Sequence, residues 1–469
     1  MLEKKELSKV RLAYGLGDFY GGASVGVISL LFMFFLTDMV HLSGLQAGVV
    51  LFVGRFVDAV IDPFLGSFSD RLKLPSGRRV PFFLAGVLPV MASFVLIWLA
   101  PGFNSVIAKV CYYTVVYSFF SIAYSMVMIP YGALAPELTP DTAQRNSIVG
   151  VRMACSIIGG LIAAVLPTVI IGLFAQNVMR GYLVMSLSFA VVFGLIWLMM
   201  FFVMRGREIC PSEDAQTGFF ESVRQAFRNR AFNILVAIYL LAFIPNDITG
   251  ANFKYFLTYY LGRPNDFSLV VGLTMVSAVL SLPLYLWFMK RIGKPRTMLW
   301  GCLFRSLTLL GYFVVRPTSS MGLILVLAAL NGIGMGSSYA VPWAMLPDVT
   351  DYDEAVSGTR NEGMYTGLMS FIRQLSSSVA MLTLGLILEL SHYVGDAVTQ
   401  VPSAVTAIRL TTILLPLILS LLAAWSAARF PVTPSRFGKI REVIELRRSG
   451  AFAQLPEEEQ RLLTGEILK

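Results

Sequence analysis

The amino-acid sequence predicts an all-α polytopic membrane protein with twelve transmembrane helices in two pseudo-symmetric six-helix bundles. Three observations predict it. The first is composition: 56% of the 469 residues are hydrophobic and only 14% are charged, with a mean hydropathy of +0.71. A soluble domain carries roughly 25% charged residues, so this chain has too little polar surface to cover a soluble globule. The second is a series of apolar blocks, each near the ~20 residues a membrane helix needs. The third is an internal repeat that relates the two halves of the chain. Together they exclude a soluble enzyme, a disordered chain and a coiled coil.

The blocks run, to within about four residues, over 12–38, 44–69, 81–101, 106–134, 147–174, 181–204, 231–261, 267–289, 297–315, 319–346, 361–390 and 403–428. Val27-Ile28-Ser29-Leu30-Leu31-Phe32-Met33 does not alternate, so these are helices rather than strands of an outer-membrane barrel. The first block follows a short Lys- and Glu-rich segment, is longer than a cleaved signal, and lacks a small-residue cleavage pattern. It is expected to remain as the first span. Cys111, Cys155, Cys210 and Cys302 show no CxxC spacing and predict neither a disulfide framework nor a zinc site.

The net charge of +9 reads as topology, not as a nucleic-acid footprint. With both termini inside, the outer loops hold only Lys109, Arg180, Arg263 and Arg316, and most other Lys and Arg fall on the inner side. The expectation is a multi-pass protein of the cell (inner or plasma) membrane with both termini cytoplasmic. Its expected parts are an N-terminal bundle at 1–204, a cytoplasmic loop at 205–230, a C-terminal bundle at 231–430 and a cytoplasmic tail at 431–469. In the loop, Phe219, Val223 and Phe227 recur at helical spacing beside Arg224, Arg228 and Arg230, as in a short interfacial helix. A solvated linker and a solvated tail are the preferred readings of these two segments.

The repeat is clearest after spans 4 and 10. Pro130-Tyr131-Gly132-Ala133-Leu134-Ala135-Pro136-Glu137-Leu138-Thr139 aligns, with one gap, to Pro342-Trp343-Ala344-Met345-Leu346-Pro347-Asp348-Val349-Thr350. Arg145-Asn146 and Arg360-Asn361 follow. Asp70-Arg71…Gly77-Arg78-Arg79 after span 2 has a weaker echo in Lys290-Arg291-Ile292-Gly293-Lys294-Pro295-Arg296 after span 8. A duplicated bundle suits alternating access, with two halves rocking about a midplane site.

At these residues the chain resembles the major facilitator superfamily, through Gly66-x-x-x-Asp70-Arg71…Gly77-Arg78-Arg79. More narrowly it resembles the glycoside–pentoside–hexuronide:cation symporters, the group of melibiose permease. The matching pieces are Tyr14-Gly15-x-Gly17-Asp18, Arg55-x-x-Asp58-x-x-x-Asp62-Pro63, Pro130-Tyr131-x-Ala133-Leu134 and Asp348-x-x-Asp351-Tyr352. Leu51-Phe52-Val53-Gly54-Arg55 and the stretch from Pro342 to Val349 are also similar to the animal sodium-dependent lysophospholipid symporters of the same group. The resemblance implies the major facilitator fold, cation-coupled symport, and a sugar, glycoside or lysolipid solute.

Charge inside a membrane helix is costly and usually functional. Asp58 and Asp62 are four residues apart on span 2 and share one face, with Arg55 on the same stripe. Two hard carboxylates suit a sodium ion or a shared proton, with Arg55 as salt-bridge partner when the cation is absent; a purely structural bridge is the alternative. The resemblance places both aspartates at cation-site positions. It also shows a departure: a further acid on helix 4 is replaced here by Met128, a poor sodium ligand, so Thr or backbone oxygens or a proton would complete the site.

Arg152 on span 5 and Arg373 on span 11 are buried cations in the two halves, suited to carboxylate, phosphate or vicinal hydroxyls or to an internal acid. They match the family's helix-5 arginine and helix-11 lysine. Asp18, Tyr14 and Tyr20 on span 1 are candidates for the solute cavity, although the family's sugar-binding Lys-Asp pair falls on Gly21-Gly22. The two glycines either open room for a bulkier, lipid-like solute or form a packing face with Gly26. On span 7 the Pro-interrupted run Pro245-Asn246-Asp247 offers Asn246 and Asp247, with Lys254 further on. Tyr124, Tyr131, Tyr339 and Trp343 are candidates for stacking. Inner-gate networks are expected from Asp70, Arg71, Arg78 and Arg79 with Glu137, Asp141 and Arg145, and from Asp348, Asp351, Asp353, Glu354 and Arg360.

Gly22-Ala23-Ser24-Val25-Gly26 fits GxSxG but lies in a helix, and His41 and His392, both at loop edges, are the only histidines. Gly332, Gly334 and Gly336 lie within a span with no strand before them, so they are not a dinucleotide loop. No Walker A sequence is present. The expectation is therefore a transporter and not an enzyme, without an organic cofactor. Its partners would be a solute, a sodium ion or proton and the bilayer, with no nucleic acid, in a monomer. A membrane enzyme and a degenerate transporter acting as a sensor are the rival classes.

Overall fold

Residues 4–71, 77–139, 141–174, 176–207, 224, 226–358, 362–432, 434–449, 451–452, 455–456 and 463 are described by the computed structural model. The described residues form helices and connecting loops. The helices are α1 (Lys4–Phe34), α2 (Gly44–Arg71), α3 (Pro81–Ile97), α4 (Val106–Leu138), α5 (Thr142–Gly172) and α6 (Val178–Met204), then α7 (Arg230–Tyr255), α8 (Phe267–Ile292), α9 (Lys294–Gly311), α10 (Met321–Ser357), α11 (Glu362–Leu390) and α12 (Pro402–Ala428). A further helix, α13 (Pro434–Arg448), follows in the tail.

Among the described residues, eleven helices are long and apolar enough to cross a membrane. The predicted third span is the exception. It runs only from Pro81 to Ile97, 17 residues, about 25 Å at 1.5 Å per residue against a hydrocarbon core of about 30 Å. Pro81 starts it, and beyond Trp98 the chain is no longer helical. Interior prolines at 89, 167, 245, 283, 342, 347 and 416 are accommodated, as neighbouring helices in a bundle allow.

The first of two packing units comprises Met1–Asp214, Asp247–Met275 and Ser377–Thr412. Within it α1 lies along α5, α2 along α4, and α3 against α4 and α6. The α1–α5 approach depends on glycine. A Cβ on Gly22 would overlap the Ser156 carbonyl, and one on Gly159 would meet the Phe19 carbonyl and lie 3.0 Å from the Ala23 nitrogen. Gly26 faces Ala163 in the same way. Behind this seam an aromatic core gathers Phe32, Phe35, Trp98 and Tyr182, with Trp98 stacked on Tyr182 at 5.6 Å.

The second unit comprises Ala215–Asn246, Val276–Ser376 and Ile413–Lys469. Its core joins Phe232 and Tyr239 of α7, Met345 and Val349 of α10, Tyr365 and Met369 of α11, and Ala424 of α12. The tail corrects an expectation. It is not a solvated segment over its helical part: Ile440, Val443 and Ile444 of α13 are buried in this core. Arg448 holds Glu354 of α10 with both guanidinium arms, at 2.8 and 3.0 Å. Apolar residues at positions 440, 443 and 444 form a helical stripe, which is the signal the charged composition hid. Of the central loop, Arg207 pairs with Glu6 at 2.6 Å; Phe219 and Val223 lie outside the described residues.

Candidate functional site

The first unit gathers oxygen ligands around α2. Ser125 of α4 stands between the two aspartates, its Oγ 2.7 Å from Asp58 Oδ1 and 2.5 Å from Asp62 Oδ1. Arg55 Nη1 lies 3.7 Å from the other Asp58 oxygen. A hydroxyl has one proton and can donate to one of these carboxylates only. A proton on one of the two carboxyls would satisfy the second short oxygen–oxygen contact. Ser125 lies one helical turn before Met128 on α4. A serine among many in apolar spans carries no distinguishing mark in a sequence, and only the α2–α4 packing reveals it.

Beside this pocket, Asp18 of α1 accepts from Arg152 Nε of α5 at 3.0 Å. The internal-acid alternative is thus realised for Arg152. Its guanidinium lies 5.2 Å above the Tyr131 ring. Tyr14 and Tyr131 stack at 4.4 Å and donate to each other's backbone carbonyls at 2.8 and 2.6 Å. Gly17 makes room for that ring, since a Cβ there would stand 2.6 Å from it. The glycine pair divides: Gly22 packs on the α5 backbone, whereas Gly21 faces the side chains of Asp18, Met128 and Tyr124. Tyr124 is half-buried there. Tyr20 is different. It is fully buried against Phe193 and Trp197 of α6, so the expectation that it lines a solute cavity is corrected: its bulk fills the bundle core.

In the second unit a cation and an aromatic wall meet. Arg373 of α11 lies 4.8 Å over the Phe243 ring. Phe243 and Tyr239 of α7 make edge contacts with Tyr339 and Trp343 of α10, both of which remain partly exposed. Asn246, one turn beyond Phe243, is buried with neither amide atom hydrogen-bonded. Asn252 and Lys254 belong to the first unit, where Asn252 donates to the Ile408 carbonyl and Thr412, both at 2.8 Å. Lys254 sits over the Phe34 and Phe267 rings and donates to the Pro264 carbonyl.

Residues 13–434 match the family described as MFS/sugar transport protein, which is most of the chain. The chain belongs to that family. Similar members include the glucuronide carrier protein homolog of Escherichia coli, 29% identical over 93% of this chain and 95% of that protein. The isoprimeverose transporter of Lactiplantibacillus pentosus is 27% identical over 87% and 85%. Sodium-dependent lysophosphatidylcholine symporter 1-A of Danio rerio is 24% identical over 86% and 81%. Among solved structures, the xylose transporter XylE of E. coli superposes with a TM-score of 0.67 at 13% identity, over 93% of this chain and 99% of that one. The nucleoside transporter NupG gives 0.64 at 12%, over 90% and 100%. These neighbours share the all-α major facilitator fold.

The repeat seen in the sequence has a counterpart in ion pairs of the two halves. In the first half, Glu137 accepts from Arg78 at 2.5 Å and Arg79 at 2.8 Å. At the aligned position of the second half, Asp348 accepts from Lys294 at 2.5 Å. In each half a cation between the second and third spans, or at the start of the third, pairs with an acid in the fourth. Asp141 caps α5, its Oδ1 accepting from the Gln144 amide, and its carbonyl accepts from the Arg145 amide. Asp351 lies half-buried on α10. The side chains of Asp70 and Arg71, and all of Arg360, lie outside the described residues.

One polar cluster went unseen in the sequence. Asp38 ends α1 in a π-turn, Phe35–Met39, and is buried. It accepts from Thr37 at 2.6 Å, from Tyr393 at 2.8 Å, from Tyr259, and from the Asp396 amide at 3.4 Å. Tyr259 lies in a second π-turn, Phe256–Tyr260, at the matching end of α7. Thr37 also contacts the Tyr255 hydroxyl at 2.7 Å. Burial pushes the Tyr393 hydroxyl up, so it stays a donor at neutral pH. His41, His392 and Asp396 all take left-handed backbone conformations around this cluster, a cost tolerated where neighbours fix the chain.

Proposed function

We propose that this protein is a secondary active transporter that couples a sodium ion or proton to symport of a sugar- or glycoside-type solute by alternating access. The observation that carries the reading is the single Ser125 hydroxyl shared by Asp58 and Asp62, because that geometry accommodates one exchangeable positive charge. Asp58 and Asp62 are the proposed cation ligands with Ser125, and Arg55 is the counter-charge. Asp18, Arg152 and Tyr124 in the first unit, and Arg373 and Asn246 in the second, are the proposed solute contacts. Paired Asp18 and Arg152 present an acceptor and a donor to hydroxyl groups.

In this reading the protein acts as a monomer in the cell membrane with both termini in the cytoplasm. It performs no covalent chemistry and uses no organic cofactor and no nucleic acid. A lysophospholipid solute is the second reading, supported by the named activity of the zebrafish relative. Sodium- or proton-gradient-driven uptake into proteoliposomes, with labelled glycosides and uronides run beside lysophosphatidylcholine, tests both. Gradient-dependent sugar uptake is expected. Lysolipid uptake alone would replace the first reading by the second, and binding without net flux would indicate a sensor.

A further inference from the structure

A cleft of about 470 Å³ opens on the flank of the second unit between α8 and α9. Leu284, Phe288 and Ile292 line it from α8, and Trp300 and Phe304 from α9. From 284 to 292 the α8 wall is about 12 Å long. Its few polar groups are already spent. Tyr285 donates to the Ile333 carbonyl at 2.9 Å, and Thr297 to the Gly293 carbonyl at 2.8 Å. A cleft without unsatisfied polar groups holds no ordered water and favours an apolar occupant. Trp300 and Leu284 are exposed, so the occupant enters from the surrounding bilayer.

One end of the cleft is strongly basic. Gly293 alone links α8 to α9, with a φ of +84° that other residues rarely adopt. Lys290 and Arg291 in the last turn of α8 therefore stand next to Arg296 in the first turn of α9. All three are exposed, and Arg291 lies 5.6 Å over the Trp287 ring. Lys294 is occupied by Asp348. No acidic residue occurs anywhere from 267 to 347. A cation in the first turn of a helix opposes the helix dipole, so Arg296 is not there to stabilise α9. An apolar cleft with three exposed cations next to its Ile292 and Thr297 end calls for an amphiphile with an acyl chain and a negative head.

We propose that this cleft binds one acyl chain of an anionic glycerophospholipid, whose phosphate sits among Lys290, Arg291 and Arg296. The test reconstitutes the full chain in bilayers of equal phosphatidylglycerol and phosphatidylcholine, extracts it in mild detergent and counts retained lipid by native mass spectrometry. Phosphatidylglycerol should be enriched about tenfold or more over phosphatidylcholine, since each surface cation near an anionic head contributes about 1 kcal/mol. Lys290→Gln/Arg291→Gln/Arg296→Gln should abolish the enrichment, and Lys290→Arg/Arg291→Lys/Arg296→Lys should keep it. Ile333→Trp, which fills the inner end of the cleft, should lower retention without touching the charges. Equal retention of the two lipids, enrichment that survives the triple Gln variant, or retention unchanged by Ile333→Trp would overturn the proposal. So would displacement by millimolar inorganic phosphate, which would make this a site for free anions.

Discussion

Ser125 has one proton to offer and two carboxylate oxygens within 2.7 Å. That mismatch is local and concerns three side chains, so its predictions belong to single residues. Asp58→Asn or Asp62→Asn removes one of the two charges proposed to hold the coupling cation and should abolish cation-stimulated uptake at unchanged expression. Normal coupling in both variants would remove these aspartates from the cation site. Ser125→Ala is a gentler probe. It removes a hydrogen bond to a charged group, on the order of 1.5–3 kcal/mol, and should raise the cation concentration for half-maximal uptake by about tenfold or more with the maximal rate largely kept. An unchanged cation dependence would show Ser125 to be a bystander. Arg373→Ala tests the second unit: weaker solute affinity is expected, and an unaltered transport profile would make its contact with Phe243 structural.

Helices were the most legible part of the chain. Blocks of apolar residues place the spans because a bilayer demands continuous apolar length, and only the short α3 fell below that length. What escaped was what the helices do to one another. The Gly21-Gly22 pair reads as one feature in the sequence, yet adjacent helical residues point in different directions: Gly22 faces the α5 backbone and Gly21 the Met128 and Asp18 side chains. Likewise Asp58 and Asp62 stand out as charges in a span, whereas Ser125 needs the α2–α4 register to be recognised. Gly22→Ala should push α1 from α5 and lower stability by about 1–3 kcal/mol, as overpacking does. Gly160→Ala, with nothing within 4 Å of the added methyl, should leave the melting temperature in detergent unchanged. Equal melting of the two variants would show that the seam yields without strain. Gly21→Ala meets only the end of Met128 and the Asp18 carboxylate, at 2.9 and 3.1 Å. It should therefore alter solute affinity more than melting.

Alternating access concerns the whole molecule, and the Asp38 cluster is where parts far apart in the chain are tied. A carboxylate from the end of α1 holds hydroxyls from α7 and from the α11–α12 connection, next to π-turns at matching ends of two duplicated spans. Hydrogen bonds to a buried charge are worth on the order of 1.5–3 kcal/mol each, and every 1.4 kcal/mol changes a two-state ratio about tenfold. Loss of the acceptor therefore has enough energy to move such an equilibrium, and the tyrosine hydroxyls it leaves behind are drawn to water. Asp38→Ala should release this end of the molecule while the Ser125 pocket and the Asp18–Arg152 pair stay intact. Nitroxide labels at Ser43 and at the fully exposed Val398 report on it by pulsed electron resonance. The wild-type distance should be dominated by one short component, and Asp38→Ala should add a longer one. Tyr393→Phe, which removes one of the donors, should give a smaller fraction of the same component. Identical distributions in all three proteins would mean that Asp38 is held by the packing around it and does not set the balance between states.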